Sequence, residues 1–326
     1  MPDPRQGPEA TSAGTGGAPA GAPRGTGTVR AGIITGMELL RLTDPDGRPV
    51  VAVRADAGSP PRRVPVPTLA ELLAARLDDV RARLEAALSF GDPLPADLPL
   101  LPPVDGATEV WACGVTYVRS RDARTEESQV ADVYERVYEA RRPELFFKAL
   151  AAKVAGDGDP VGIRADSAVD VPEPELALVL TAHGEIMGLT VCNDMSSRTI
   201  EGDNPLYLPQ AKVYAGACAV GPVIRPAWEL DPIGREVTLE IRRDGGVAFH
   251  GTTSTDQLHR TPEDLVEHLF RGDHFPGGAV LSTGTGVVPD LPFTLAEDDV
   301  VAITIDGIGT LTNPVRLGKE AFAPAR

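Results

Sequence analysis

The chain has 326 residues, 42% hydrophobic and 24% charged, which suits one large domain with a smaller companion. Its 31 Lys and Arg against 47 Asp and Glu give a net charge of −16, which repels nucleic-acid phosphates and anionic lipid and excludes both as partners. No apolar run approaches the roughly 20 residues of a membrane helix, so no span is expected.

Residues 1–30 are mostly Gly, Pro, Ala, Ser and Thr without an apolar block, so this tail is expected to be disordered. It lacks the apolar core of a signal peptide. Cys113, Cys192 and Cys218 each lie in an apolar segment, with no CxxC pair. They read as buried free thiols in a reducing compartment, which places the protein in the cytoplasm.

A small α+β domain is expected over 31–104. Its strand is PVVAVR, and its helix is a single one over TLAELLAARLDDVRARLEAALSFGD, where Leu69, Leu72, Leu73, Leu77, Val80, Leu84 and Leu88 share one face. Thr68 and Glu71 form a capping box and Gly91 is a stop signal. The Pro-rich DPLPADLPLLPPVDG leads into the main domain, 105–326. There, runs such as VWACGV, ELALVL, CAVGPVI, VTLEIR and VVAITI predict strands, interrupted by helices over 128–142 and 261–271. No glycine-rich phosphate loop follows any strand. The fold class is a β-rich α+β domain.

The stretch VPEPELALVLTAHGEIMGLTVCND (171–194) carries most of the chemistry. Read as a hairpin with a two-residue His183-Gly184 turn, it sets Glu173 opposite Asp194, and Glu175 points the same way. Facing Cβ atoms lie about 4.5–5.5 Å apart, so the two carboxylates repel unless a cation lies between them. A solvated strand end is the plain alternative, but the same side continues as Ala177 and Val179. An all-carboxylate set favours Mg2+, with Mn2+ or Ca2+ as alternatives, over zinc. Lys148, Arg198 and Lys212 are each an ordinary surface cation or a site residue. Lys212 lies in an otherwise uncharged segment, where a charge needs a reason. The run STGTG at 282–286 is a Gly-rich turn or a carboxylate-binding loop.

GVTY (114–117), PELFFK (143–148), EPEL with NDMSSR, QAK (210–212), STGTG and the late DGIGTLTNPV together resemble the fumarylacetoacetate hydrolase superfamily. The resemblance covers about 105–316. It implies a mixed β-roll in which Glu173, Glu175 and Asp194 hold Mg2+ or Mn2+, and a homodimer or homotetramer. The ligand it implies is a 2-keto acid that chelates the ion through its carboxylate and keto oxygens.

Hydrolytic members carry an acidic residue and a histidine shortly after the GxNY-type motif. Here Arg119 and Ser120 stand in those places, and TGTP is replaced by TGTG. Without a base for water, C–C hydrolysis loses its nucleophile. RSRDARTEES, VYEARRPELFFK and SSRTIEGDNPLYLPQAK resemble instead the 2-keto-3-deoxy-pentonate (D-arabinonate type) dehydratases of that superfamily, which form 2,5-dioxopentanoate.

By that resemblance Lys212 and Glu144 are the acid–base pair, in either order, although Glu144 also reads as a helix-end surface acid. Phe147, Lys148, Arg198 and Thr285 are substrate-binding by the same resemblance, with Thr285 on the substrate carboxylate and Arg198 supporting the site. The alternatives are a metal-dependent hydrolase, decarboxylase or isomerase of a keto diacid, and a non-catalytic keto-acid-binding protein.

Overall fold

The structure, a computed structural model, describes residues 35–119 and 136–323. Its first strands are β1 (Thr35–Thr43), β2 (Pro49–Asp56), β3 (Arg62–Arg63), β4 (Leu100–Leu101), β5 (Glu109–Gly114) and β6 (Glu144–Leu150). Next come β7 (Val161–Ile163), β8 (Asp170–Val171), β9 (Pro174–Leu180), β10 (Ile186–Asp194), β11 (Ser196–Ser197) and β12 (Cys218–Pro226). The last are β13 (Glu236–Arg243), β14 (Gly246–Ser254), β15 (Ala279–Ser282), β16 (Val300–Ile305) and β17 (Gly309–Leu317). The helices are α1 (Leu69–Leu73), α2 (Leu77–Phe90), α3 (Arg198–Asp203), α4 (Leu208–Lys212) and α5 (Pro262–Phe270).

A ten-stranded sheet runs β3-β2-β1-β12-β10-β9-β15-β5-β6, with β4 on β1, and a five-stranded sheet runs β14-β13-β16-β17-β7. Both are mixed, because β15 pairs β5 and β17 pairs β7 in parallel while the other ladders are antiparallel. This is the sheet-dominated α+β architecture that the sequence predicts. Leu39 of β1 pairs with Ile224 of β12, so the large sheet runs on across the boundary expected near residue 104.

β9 is buried along its whole length, PELALVL. Leu176, Leu178 and Leu180 face one core, shared with Val237, Leu239, Ile303 and Leu265. Ala177 and Val179 face a second, shared with Leu72, Leu73, Leu84 and Cys192. A strand covered on both faces needs a continuous apolar run rather than alternation, which explains its sequence. All three cysteines are free and buried, as expected.

Two local expectations need correction. The single helix over 69–90 is two, because Arg76 turns extended (ψ 156°). The carboxylate of Glu185 accepts from the Leu77 N–H at 2.8 Å, so a distant side chain caps a fresh helix start there. Thr68 does cap α1, accepting from Glu71 N. The hairpin turn, second, has three residues rather than two. Thr181 N donates to Glu185 O, and Gly184 closes the loop at φ +72°, a conformation that favours glycine. A bulge at Met187 then absorbs the extra residue, and pairing resumes as Gly188↔Val179 through Cys192↔Glu175. The two departures cancel, and the Asp194 N–H reaches Glu173 O at 3.0 Å in the register expected. The 128–142 helix lies mostly, and the 1–30 tail wholly, outside the described residues. Of that helix, 136–139 are helical. The 261–271 helix forms as α5, capped by Thr261.

Because Glu185 also accepts from Thr181 Oγ1, it ties the hairpin to α2. Glu185→Ala should therefore lower stability by about 1 kcal/mol, the usual cost of a lost cap. Urea denaturation of the two proteins checks this through the midpoint.

Candidate active site

Glu173, Glu175 and Asp194 converge. One carboxylate oxygen from each lies within 4.8 Å of the others, and all three residues are buried. The cause is period-2 alternation on β9 together with the β9–β10 register, which puts all three on one face at the rim of the second core. Burial, and then the charges of Asp194 and Glu173, push the Glu175 carboxyl well above the usual carboxylate range.

Cations from other elements meet these acids. Lys212, the last residue of α4, puts Nζ 2.7 Å from Glu173 Oε2 and 3.1 Å from Asp194 Oδ2. Its ammonium also lies 5.6 Å from the Phe146 ring centroid. Arg198, the first residue of α3, donates from Nη1 to Glu173 Oε1 at 3.2 Å.

Lys148 on β6 is also buried here, among protein oxygens. Its Nζ donates to Met195 O at 2.9 Å and Lys212 O at 2.6 Å and ion-pairs with Asp194 Oδ1. Two of its three protons go to backbone carbonyls, and its charge faces Asp194. Lys148 is a strut that fixes the end of α4 against Asp194. Phe147 precedes Lys148 on the same strand. Its ring packs edge-on against Trp111, 6.0 Å between centroids, and the neighbouring Phe146 takes the place beside Lys212.

Glu144 opens β6 opposite Gly114 of β5. Its carboxylate covers Gly114 so closely that a Cβ there would lie 2.0 Å from Oε2, so a larger residue would displace the Glu144 side chain. Thr285 is buried, and its hydroxyl donates to Val287 O at 3.0 Å. The carboxylate held by the STGTG run is the protein's own: Ser282 Oγ and Gly284 N both donate to Glu175 Oε2. The sequence left this run as a Gly-rich turn or a carboxylate-binding loop and did not point to Glu175 as its partner. Ser196, whose Oγ accepts from Lys212, gave no signal beyond its place in NDMSSR.

The loop after β5 is strained. Val115 has φ +53°, where a β-branched residue is an outlier, a conformation that costs about 1–3 kcal/mol. It is held by Thr116, whose Oγ1 donates to Thr283 O at 2.6 Å and whose carbonyl accepts from His259 N at 2.9 Å. The turn ties GVTY to STGTG.

The donor set fits a hard divalent cation. It is all oxygen, and Glu175 Oε1 is buried without a hydrogen-bond partner among the described residues.

A family model described as the fumarylacetoacetate (FAA) hydrolase C-terminal domain matches residues 110–316. The chain belongs to this family. It is 52% identical over 214 residues to a Haloferax volcanii protein named probable 2-keto-3-deoxyxylonate dehydratase, covering 65% of this chain and 73% of that one. It is 43% identical over 225 residues to the 2-dehydro-3-deoxy-D-arabinonate dehydratase of Saccharolobus solfataricus, covering 68% and 75%. Among solved structures, 2-keto-3-deoxy-D-arabinonate dehydratase complexed with magnesium and 2,5-dioxopentanoate superposes with TM-score 0.74. That likeness holds at 34% identity over 86% of this chain and 99% of that one.

A ligand that binds only the folded chain stabilises it by about 2.7 kcal/mol at a hundred times its Kd. Mg2+ or Mn2+ should therefore raise the melting midpoint, EDTA should reverse the rise, and Glu175→Gln should abolish it. Differential scanning calorimetry gives the answer, and an undiminished rise in the variant would remove Glu175 from the ligand set.

Proposed function

We propose that this protein is a divalent-metal-dependent hydro-lyase that removes water from a 2-keto-3-deoxy pentonate to give 2,5-dioxopentanoate. The observation that carries this reading is the buried Lys212 ammonium in contact with two of three converging carboxylates. The dehydratase names of the relatives and the lack of a histidine shortly after GVTY support the same choice over hydrolysis.

Glu173, Glu175 and Asp194 would hold Mg2+ or Mn2+. When bound, such an ion supplies Lewis acidity toward the carboxylate and keto oxygens of a 2-keto acid, which acidifies its C3–H bond. The protein's own part is proton transfer and exclusion of water. The C3–H and C4–O bonds break, proton and hydroxyl leave as water, and a hydrogen shift turns the terminal carbinol into the aldehyde without an oxidant. Lys212 and Glu144 are the groups assigned to these transfers, one as base and one as acid. Arg198 holds Glu173 in place, and Thr285 is the group assigned to the substrate carboxylate. Burial beside Phe146 shields the Lys212 ammonium from bulk water, and excluding water strengthens its interactions inside the site.

A mass-spectrometric screen of 2-keto-3-deoxy pentonates and hexonates with Mg2+ tests this. The expected product is one water lighter with its carbon count intact, whereas release of pyruvate or CO2 excludes the dehydratase reading. Lys212→Met should lower kcat by about 10²–10⁴-fold, the usual contribution of a positioned acid or base. Its near-UV circular dichroism should match that of the parent.

A further inference from the structure

A carboxylate oxygen accepts through two lone pairs. On Glu175 Oε2 both are taken, by Ser282 Oγ at 2.5 Å and Gly284 N at 2.8 Å. Only Oε1, buried and without a partner among the described residues, is left for another ligand.

This pin is itself fixed. The β9–β15 ladder ends with Ser282 opposite Ala177, so the chain continues with Gly284 opposite Glu175. There the Gly284 N–H meets the side chain of Glu175 instead of a backbone carbonyl. Thr283 anchors the segment, donating from N and Oγ1 to Leu176 O at 2.9 and 2.8 Å. Gly284 has φ +93°, and a Cβ on it would lie 2.0 Å from Thr116 Oγ1, so no other residue fits. The donors therefore stand in place before any ion arrives.

We propose that Ser282, acting with the Gly284 N–H, is a positioning residue that restricts Glu175 to one-oxygen ligation and thereby makes the centre favour Mg2+ and Mn2+ over Ca2+. Ca2+ takes about 6–8 oxygens and uses bidentate carboxylates freely, whereas Mg2+ takes an octahedron of single oxygens. A carboxylate with one oxygen already saturated suits the second habit and opposes the first. The inference rests on the acids being a divalent-ion site and not on the identity of the sugar acid.

The test is titration calorimetry of the metal-free full chain with MnCl2 and with CaCl2. The parent is expected to bind Mn2+ more tightly. Loss of a group that orients a metal ligand typically costs about 10–100-fold in affinity, so Ser282→Ala should lose that much for Mn2+. It should lose less for Ca2+, so the ratio narrows. Ser282→Thr, which keeps the hydroxyl, should restore the ratio. Thr283→Ala, whose hydroxyl serves Leu176 O, should lower the melting midpoint and leave the ratio alone.

An unchanged Mn2+/Ca2+ ratio in Ser282→Ala overturns the proposal. If that variant does not fold, the near-isosteric Ser282→Cys carries the same test, because a thiol is a weak donor. A parent that binds neither ion ends both this inference and the metal reading. A ratio that narrows as expected, in a protein that dehydrates no sugar acid, faults the proposed reaction alone.

Discussion

Everything at the site follows from two like charges placed face to face. The backbone pairing between β9 and β10 leaves Glu173 and Asp194 no choice of neighbour, and Glu175 follows on the same side. Three buried carboxylates in one place are tenable only with positive charge, and the chain draws it from Lys148 on β6, Arg198 on α3 and Lys212 on α4. Removing one partner of a buried pair leaves an uncompensated charge and costs several kcal/mol. The irregular stretch from Ser196 to Lys212, with short helices and little apolar content, makes sense as the path that delivers two of those cations.

The acids were legible because strand alternation has a period of two and tolerates no slip. A one-residue error would have sent the carboxylates into opposite cores. The expected register survived an incorrect turn only because the bulge at Met187 offset the extra loop residue, and local sequence gives no sign of such compensation. The break between α1 and α2 was hidden for a related reason. It depends on Glu185, more than a hundred positions away, and leucine spacing reports faces rather than distant caps.

The basic residues were legible as chemistry but not as roles. Lys148 and Lys212 look alike in sequence, each a lone charge in apolar surroundings. What separates them is which oxygens come within reach, and that depends on where α4 ends relative to β6. Phe146 and Phe147 differ by one step on a strand, and the irregular β5–β6 pairing decides which ring meets Trp111 and which meets the ammonium. For STGTG the sequence left open a Gly-rich turn or a receptor for a carboxylate, and its Ser282 and Gly284 hold an internal one, Glu175.

β9 is the common wall of both hydrophobic cores and also carries Glu175, with Glu173 one residue before its start. Drift along this strand is heard twice, once by each interior, so the ion-holding end has little freedom to diversify. Variation within such a scaffold has more room at exposed positions such as Val118 and Glu139, where side chains answer to fewer neighbours. The division gives the lineage an inherited centre and a negotiable periphery.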